Sequence, residues 1–266
     1  MDRTQTAFQK GGLRLTAEQS ADETFSSCLR LGSEVNWANL PGLHADPKLF
    51  ARNRIVTAYR SDTAHVPFDM LRTSLLQNMR QNKWTSVAIT SPTPACGKTV
   101  VSLNLAFSLV HQKECRTALI DLDLRRPQVA KLLGLKNPPL IESFLRGEVE
   151  IADTFVRYSD NVAIAANSRP VRFAAELLQN SDTANALKRV KQALCPDITI
   201  FDMPPMLAND DFLAFLPNVD CVLLVVAAET TTFRDADYCE RLLAEKTNVV
   251  GVVLNKCQYT PDKYGY

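Results

Sequence analysis

A chain of 266 residues, 46% of them hydrophobic, holds material for one sizeable core, so one α/β domain with an appendage is expected rather than two separate domains. Thirty basic and 29 acidic side chains leave a formal charge of +1, which removes any global electrostatic reason to expect nucleic acid or an anionic membrane as partner. The seven cysteines, at 28, 96, 115, 195, 221, 239 and 257, are odd in number and never spaced C-x-x-C; they argue against a disulfide framework or a zinc site and fit a reducing, cytosolic setting.

Residues 1–47 mix Gln, Ser, Glu and Gly with few apolar positions and no clear period, which reads as a weakly ordered arm. The main domain is expected over 48–256. Its first clear element is "DMLRTSLLQNMRQ", where Met70, Leu71, Leu75, Leu76 and Met79 form a helical stripe entered after Pro67; the stripe serves as a packing face or an interface. From residue 84 onward, "SVAIT", "TALIDLD", "VAIAA", "ITIFD", "CVLLVVA" and "NVVGVVLN" alternate with helical patterns near 98–112, 173–193 and 232–246. Runs apolar on both faces and separated by helices predict a mostly parallel sheet with helices on both sides, joined by right-handed crossovers. Ligands in such sheets sit at the carboxyl ends of the strands. The longest apolar run, "CVLLVVAA" at 221–228, is far short of the roughly 18 to 20 residues that span a bilayer, and the N-terminus has no signal-peptide pattern. The expectation is a soluble chain, cytoplasmic, brought to the inner face of a membrane only by a partner.

The stretch "SPTPACGKT" at 91–99 ends like a phosphate loop, yet Pro92 stands where G-x-x-x-x-G-K-[ST] places its first glycine. Context carries the reading. "SVAIT" supplies a strand, "SPTPAC" a turn, and "GKTVVSLNLAFSLV" a helix apolar nearly all round. A phosphate loop needs backbone N–H groups converging at a helix N-terminus, a lysine for charge and a hydroxyl for Mg²⁺. Pro92 and Pro94 fix φ and shape the turn in place of the first glycine, whereas Gly97 is harder to replace.

Two more strand ends are acidic. "TALIDLDLRRP" carries Asp121 and Asp123, and "ITIFDMPP" carries Asp202. Singly, each is as readily a solvated strand-end carboxylate as a functional one. Together with the GKT they place hard oxygen ligands at the edge where a Mg²⁺–nucleotide would bind. Arg125 and Arg126 are left open between steadying phosphate or a neighbouring subunit and forming an exposed strand-exit turn.

The ordered blocks "TSPTPACGKTVVSLNLA", "LIDLDLRRP", "AELL", "IFDMPP" with Asp211, and "GVVLNK", spanning roughly residues 68–258, resemble the cytosolic ATPase domain of bacterial tyrosine autokinases of the CpsD/CapB type, relatives of the MinD/ParA ATPases. The resemblance implies a P-loop NTPase architecture and an ATP- and Mg²⁺-dependent protein-tyrosine kinase that phosphorylates its own C-terminal tail in trans and thereby regulates capsule or exopolysaccharide synthesis. It implies a membrane-spanning co-polymerase as activator and an oligomer of the chain itself, and allows a cognate tyrosine phosphatase; nucleic acid is not among the implied partners. By motif, Lys98 would hold the β- and γ-phosphates and Thr99 would bind Mg²⁺. Asp121 would lie by Mg²⁺ and the attacking oxygen, Asp123 would position substrate or nucleotide, and Asp202 would bind Mg²⁺ through water. The nucleotide would contact Pro94, Ala95, Cys96, Gly97, Lys98, Thr99 and Val100, with Asn255 at the adenine. A tail over 257–266 would offer Tyr259, Tyr264 and Tyr266 as phosphoacceptors, with an extended reach of about 30 Å.

The chain departs from that family in three places. Ala95-Cys96-Gly97 replaces the usual Gly-Glu-Gly, leaving Cys96 as a buried structural thiol or a redox-sensitive one. The oligomer-supporting E-x-x-R-x-x-R, aligned on Arg72, finds Asp69 and Val66 instead. The tail tyrosines are sparse. Two other readings follow from the same residues: a P-loop ATPase switch without kinase activity, and a nucleotide-binding adaptor without turnover. Thr93, standing where MinD/ParA relatives carry an extra lysine, weighs against the closest form of the switch.

Overall fold

The apolar runs pair into one seven-stranded sheet. Its strands are β1 (Ser86–Thr90), β2 (Thr117–Asp121), β3 (Phe155–Tyr158), β4 (Val162–Ala165), β5 (Ile198–Asp202), β6 (Cys221–Ala227) and β7 (Asn248–Asn255), in the order β3-β4-β2-β5-β1-β6-β7. Every neighbouring pair is parallel except β3 with β4. This computed structural model describes residues 37–60 and 63–257. The chain divides into Met1–Ser33 and Glu34–Tyr266, and the described residues all lie in the second unit.

Helices cover both faces, as runs apolar on both sides of a strand require. On one face lie α1 (Pro47–Arg52), α2 (Val66–Asn82), α3 (Lys98–Leu109) and α4 (Val129–Leu133), contributing Phe50, Leu75, Phe107 and Leu133 to the core. On the other lie α5 (Ile141–Leu145), α6 (Ile151–Thr154), α7 (Ala174–Gln179), α8 (Ser181–Leu194), α9 (Asp211–Phe215) and α10 (Phe233–Lys246), contributing Phe144, Leu177, Val190, Phe212 and Leu243. The central strands β1, β2 and β6 are buried nearly throughout. The α/β architecture predicted from the alternating runs is the one observed.

Four local differences have physical causes. The antiparallel edge strand β3 escapes the sequence pattern because "FVRY" is short and carries an arginine. The helix predicted over 173–193 is two helices. Asn180 between them is extended (ψ 147°) and its side chain caps α8 by accepting the Asp182 N–H at 3.0 Å. In α2 only Leu75 and Met79 of the predicted stripe are buried, while Met70 is 69% exposed. Finally, the arm expected to run to residue 47 is packed from Trp37. Trp37 and Leu40 are buried, the Trp37 indole N–H donates to the Leu194 carbonyl at 2.9 Å, and residues 41–43 lie against the outer edge of β3 through Arg157 N–H to Pro41 and Leu43 N–H to Arg157. The rest of the expected arm, and the tail beyond Cys257, lie outside the described residues. Among the described residues no helix is long and apolar enough to cross a membrane.

A partly buried ionic cluster staples α2 to α3. Asp69 accepts the Ser108 hydroxyl at 2.6 Å, Arg72 at 2.8 Å and Arg60 at 3.0 Å, and Arg72 also reaches the Ser108 hydroxyl and carbonyl. The two residues that break the E-x-x-R-x-x-R pattern or align with it, Asp69 and Arg72, thus bond within the chain.

Candidate nucleotide site

The loop 91–97 leaves the carboxyl end of β1 and enters α3 with Gly97 as its N-cap at φ 89°. That left-handed backbone favours glycine, and a Cβ here would stand 2.3 Å from the Asn255 side-chain nitrogen. Ala95 is also left-handed, at φ 66°, where an L side chain costs about 1 kcal/mol. Pro94 and Ala95 are exposed at the tip of the loop, while Cys96 is fully buried. The Cys96 thiol donates to the Thr93 carbonyl at 3.2 Å, and the hydroxyls of Thr93 and Thr231 lie 3.5 Å from its sulfur. Burial alone would push this thiol up; the neighbouring hydroxyls of Thr231 and Thr93 outweigh it, and the net direction is down. Asn255, at the end of β7, donates to the Cys96 carbonyl at 2.9 Å and so holds the loop from the far side.

Behind the loop the charges converge. Lys98, only 8% exposed, donates to Asp123 at 2.6 Å. Burial would lower its pKa, but the carboxylates of Asp202, Asp123 and Asp121 more than reverse this and keep the ammonium charged. Thr99 donates its hydroxyl to Asp202 at 2.7 Å, and Ser102, one turn on, donates to the other oxygen of the same carboxylate at 3.1 Å. Asp121 accepts the backbone N–H groups of Asp123 and Val129, at 3.3 and 3.2 Å. Asp121 and Asp202 are both fully buried. Burial, together with the charge of Asp202, holds the Asp121 carboxyl well above the ordinary range; burial also raises Asp202, against the opposing pull of Lys98 and the Thr99 and Ser102 hydroxyls.

The donor set fits Mg²⁺. Three buried carboxylates face one buried ammonium, an imbalance that burial resists and a divalent cation would relieve. Among the described residues no group of three or more His, Cys, Asp or Glu is arranged to hold a metal by itself. That suits an ion which takes one or two protein oxygens and completes its shell with phosphate and water. Thr99 and Asp202 are the oxygens placed to do so.

Lys98, Thr99, Asp121, Asp123, Asp202, Gly97 and Asn255, all expected at the nucleotide from the sequence or from its family resemblance, lie together at this edge of the sheet. Val100 lies one residue further into α3, half-buried. Tyr259, Tyr264 and Tyr266 lie outside the described residues.

The ParA family model, described as NUBPL iron-transfer P-loop NTPase, matches residues 84–265. The chain belongs to the ParA family of P-loop NTPases. This ParA-family chain is 30% identical over 260 residues to a putative tyrosine-protein kinase in the cps region of Klebsiella pneumoniae, covering 91% of this chain and 35% of the relative. It is 27% identical over 181 residues to the tyrosine-protein kinase ptk of Acinetobacter johnsonii, covering 67% of this chain and 24% of the relative. It therefore spans only a quarter to a third of the length of these relatives. Among solved structures, the kinase domain of Escherichia coli tyrosine kinase ETK superposes with a TM-score of 0.68 at 27% identity, covering 80% of this chain and 84% of that one.

Ser102 and Thr231 escape the sequence pattern, and Arg125 gains a partner that the pattern does not show. Arg125 forks onto Asp211 with bonds of 2.6 and 2.8 Å, and Asp211 is fully buried at the start of α9. Arg125 thereby ties the exit of β2 to the segment after β5, with its side chain still 47% exposed. Ser102 stands four residues after Lys98, and that helical spacing was the available signal. Thr231 sits in the loop after β6, also accepting the Ala227 N–H at 2.9 Å, and no pattern in the sequence marks it.

Proposed function

We propose that this chain is the catalytic domain of an ATP-dependent bacterial protein-tyrosine kinase acting in capsule or exopolysaccharide synthesis, and that it autophosphorylates in trans on Tyr259, Tyr264 or Tyr266. The observation that carries the proposal is the convergence of Lys98, Thr99 and the strand-end carboxylates of Asp121 and Asp202 at the N-terminus of α3. The names of the relatives add the tyrosine acceptor. A membrane-spanning co-polymerase as activator, and a second copy as the phosphorylated partner, belong to the same proposal.

In this reading the loop N–H groups and Lys98 take the β- and γ-phosphates, which requires Lys98 to exchange its bond to Asp123 for a phosphate oxygen. Bound Mg²⁺ would supply Lewis-acid charge compensation at the phosphates, with Thr99 and Asp202 as its protein oxygens. The tyrosine oxygen bonds to the γ-phosphorus as the bond from that phosphorus to the β–γ bridging oxygen breaks and ADP departs. The phenol proton passes to Asp121. A carboxyl whose proton affinity is raised by burial and by Asp202 suits that role, because an ordinary carboxylate is a poor acceptor for a phenol of pKa about 10. Asn255 holds the loop through the Cys96 carbonyl, and Arg125 with Asp211 ties the exit of β2, which carries Asp121 and Asp123, to the segment after β5.

Phosphate mapping by mass spectrometry after mixing the protein with ATP and Mg²⁺ tests the proposal. Tyrosine phosphate on wild type and none on Lys98→Met is expected. ATP hydrolysis with unmodified tyrosines would replace the kinase with an ATPase switch.

A further inference from the structure

Phe173 is costly to the fold in two ways. Its backbone is left-handed, at φ 55° and ψ 47°, and its ring is 72% exposed. A single exposed aromatic is ordinary, but a bulky residue in the left-handed region is an outlier that persists only where its surroundings fix it. The surroundings here are clear. Val171 is pinned to the exit of β2 by its N–H donating to the Leu124 carbonyl at 2.8 Å, and Ala174, Leu177 and Leu178 anchor α7 in the core. The backbone must turn left-handed in between. Asn or Gly would make that turn with less strain, so the geometry does not ask for phenylalanine.

The Val171–Leu124 bond also fixes what stands beside Phe173. Leu124 follows Asp123, the partner of Lys98, so the segment that carries Phe173 is fastened to the chain next to the candidate site. Arg126, Arg169 and Arg172 each lie within two residues of one end of that bond. All three are exposed, and none is in an ion pair among the described residues. Arg125, by contrast, is spent on Asp211.

We propose that Phe173, with Arg126, Arg169 and Arg172, forms the docking platform for an acidic, tyrosine-bearing peptide entering the site, with Phe173 as the specificity-determining residue that meets an aromatic side chain. The charge of the rim calls for carboxylates flanking the tyrosine, and the exposed ring offers the offset or edge-on contact that aromatic pairs favour. This role rests on the kinase reading for its purpose but concerns a tyrosine segment of another protein, since the chain's own tail sets a single acid, Asp262, against Lys256 and Lys263; the docking itself is measurable without turnover.

The test is the binding of a fluorescent glutamate–tyrosine copolymer, followed by anisotropy and paired with polyglutamate as a control and with phosphorylation of the copolymer. Phe173→Asn fits the left-handed turn and is expected to hold or raise the melting temperature and to leave the affinity for Mg·ATP unchanged. It should weaken copolymer binding by roughly three- to tenfold, the worth of one aromatic pair, and raise the KM for the copolymer by the same factor with kcat held. Polyglutamate binding should not change in Phe173→Asn and should weaken in Arg172→Gln. Wild-type affinity for the copolymer in Phe173→Asn, or an equal loss for polyglutamate, would overturn the proposal. If the copolymer binds in a Phe173-dependent way but is never phosphorylated by wild type, the docking surface stands and the kinase reading falls.

Discussion

Asp121 and Asp202 are register partners at the carboxyl ends of the adjacent parallel strands β2 and β5, both fully buried. The pairing places two carboxyls side by side where water cannot solvate them, and burial, with each one's charge acting on the other, raises the Asp121 carboxyl above its usual 3.8. A group whose folded pKa is raised binds its proton more tightly in the folded state, so stability falls as pH rises from about 4 through the folded value.

Asp121→Asn keeps the shape and removes the ionisation. At pH 8 and without nucleotide, it is expected to stabilise the protein by about 1 kcal/mol, with the gain shrinking toward pH 4. Phosphoryl transfer should fall by about a hundredfold or more. Denaturant titration at the two pH values and a turnover assay measure both effects.

Asp69 behaves with the opposite sign. Burial would raise its pKa, but the Ser108 hydroxyl and the Arg72 and Arg60 guanidinium groups outweigh it and hold the carboxyl below 3.8. A depressed acid contributes stability above its unfolded pKa and loses it as pH falls through the folded one. Asp69→Asn should therefore cost about 1–2 kcal/mol at pH 7, and the difference from wild type should close as pH falls below 3.8 through the lower folded value. Chemical denaturation at pH 7 and in acid reads it directly.

Gly97→Ala puts a Cβ 2.3 Å from the Asn255 side-chain nitrogen on a backbone at φ 89°. Breaking the Asn255 bond to the Cys96 carbonyl and straining the turn should cost about 1–2 kcal/mol and weaken nucleotide binding about tenfold or more. Ala95→Gly relieves the strain at φ 66° but adds the larger unfolded-state entropy of glycine, and the two opposing terms are expected to leave both quantities nearly unchanged. A calorimetric comparison of the two variants separates loop geometry from loop composition.

Thiol chemistry offers a check on packing. Burial pushes Cys115 and Cys239 up to about 11 and Cys221 up to about 12, while Cys257 is exposed. In native protein at pH 8, a thiol reagent should label Cys257 rapidly and leave those three unmodified until unfolding. Peptide mapping of the labelled protein shows which cysteines have reacted.

The parts of this structure legible in the sequence are those set by local pattern. "SVAIT", "ITIFD" and "CVLLVVA" are apolar on both faces because their strands are central, and the GKT that follows the first of them marks a helix N-terminus. What stayed hidden depends on contacts distant along the chain. Trp37 sits in a polar stretch that gives no period, yet its indole is bonded to Leu194, 157 residues away. Arg125 and Asp211 are 86 residues apart, and nothing in "RRP" tells that, of two exposed arginines, the first is the one paired. The Lys98–Asp123 bond was hidden for another reason: both residues were expected at the site, but as separate contacts to phosphate and substrate, and burial makes them partners.

Isothermal calorimetry of Mg·ATP on wild type and Lys98→Met tests the central claim most directly. The account predicts saturable binding to wild type, with an affinity at least a hundredfold lower in Lys98→Met, because the variant leaves the loop without its cation. Equal affinity in the two proteins, or no binding to folded wild type, would contradict it.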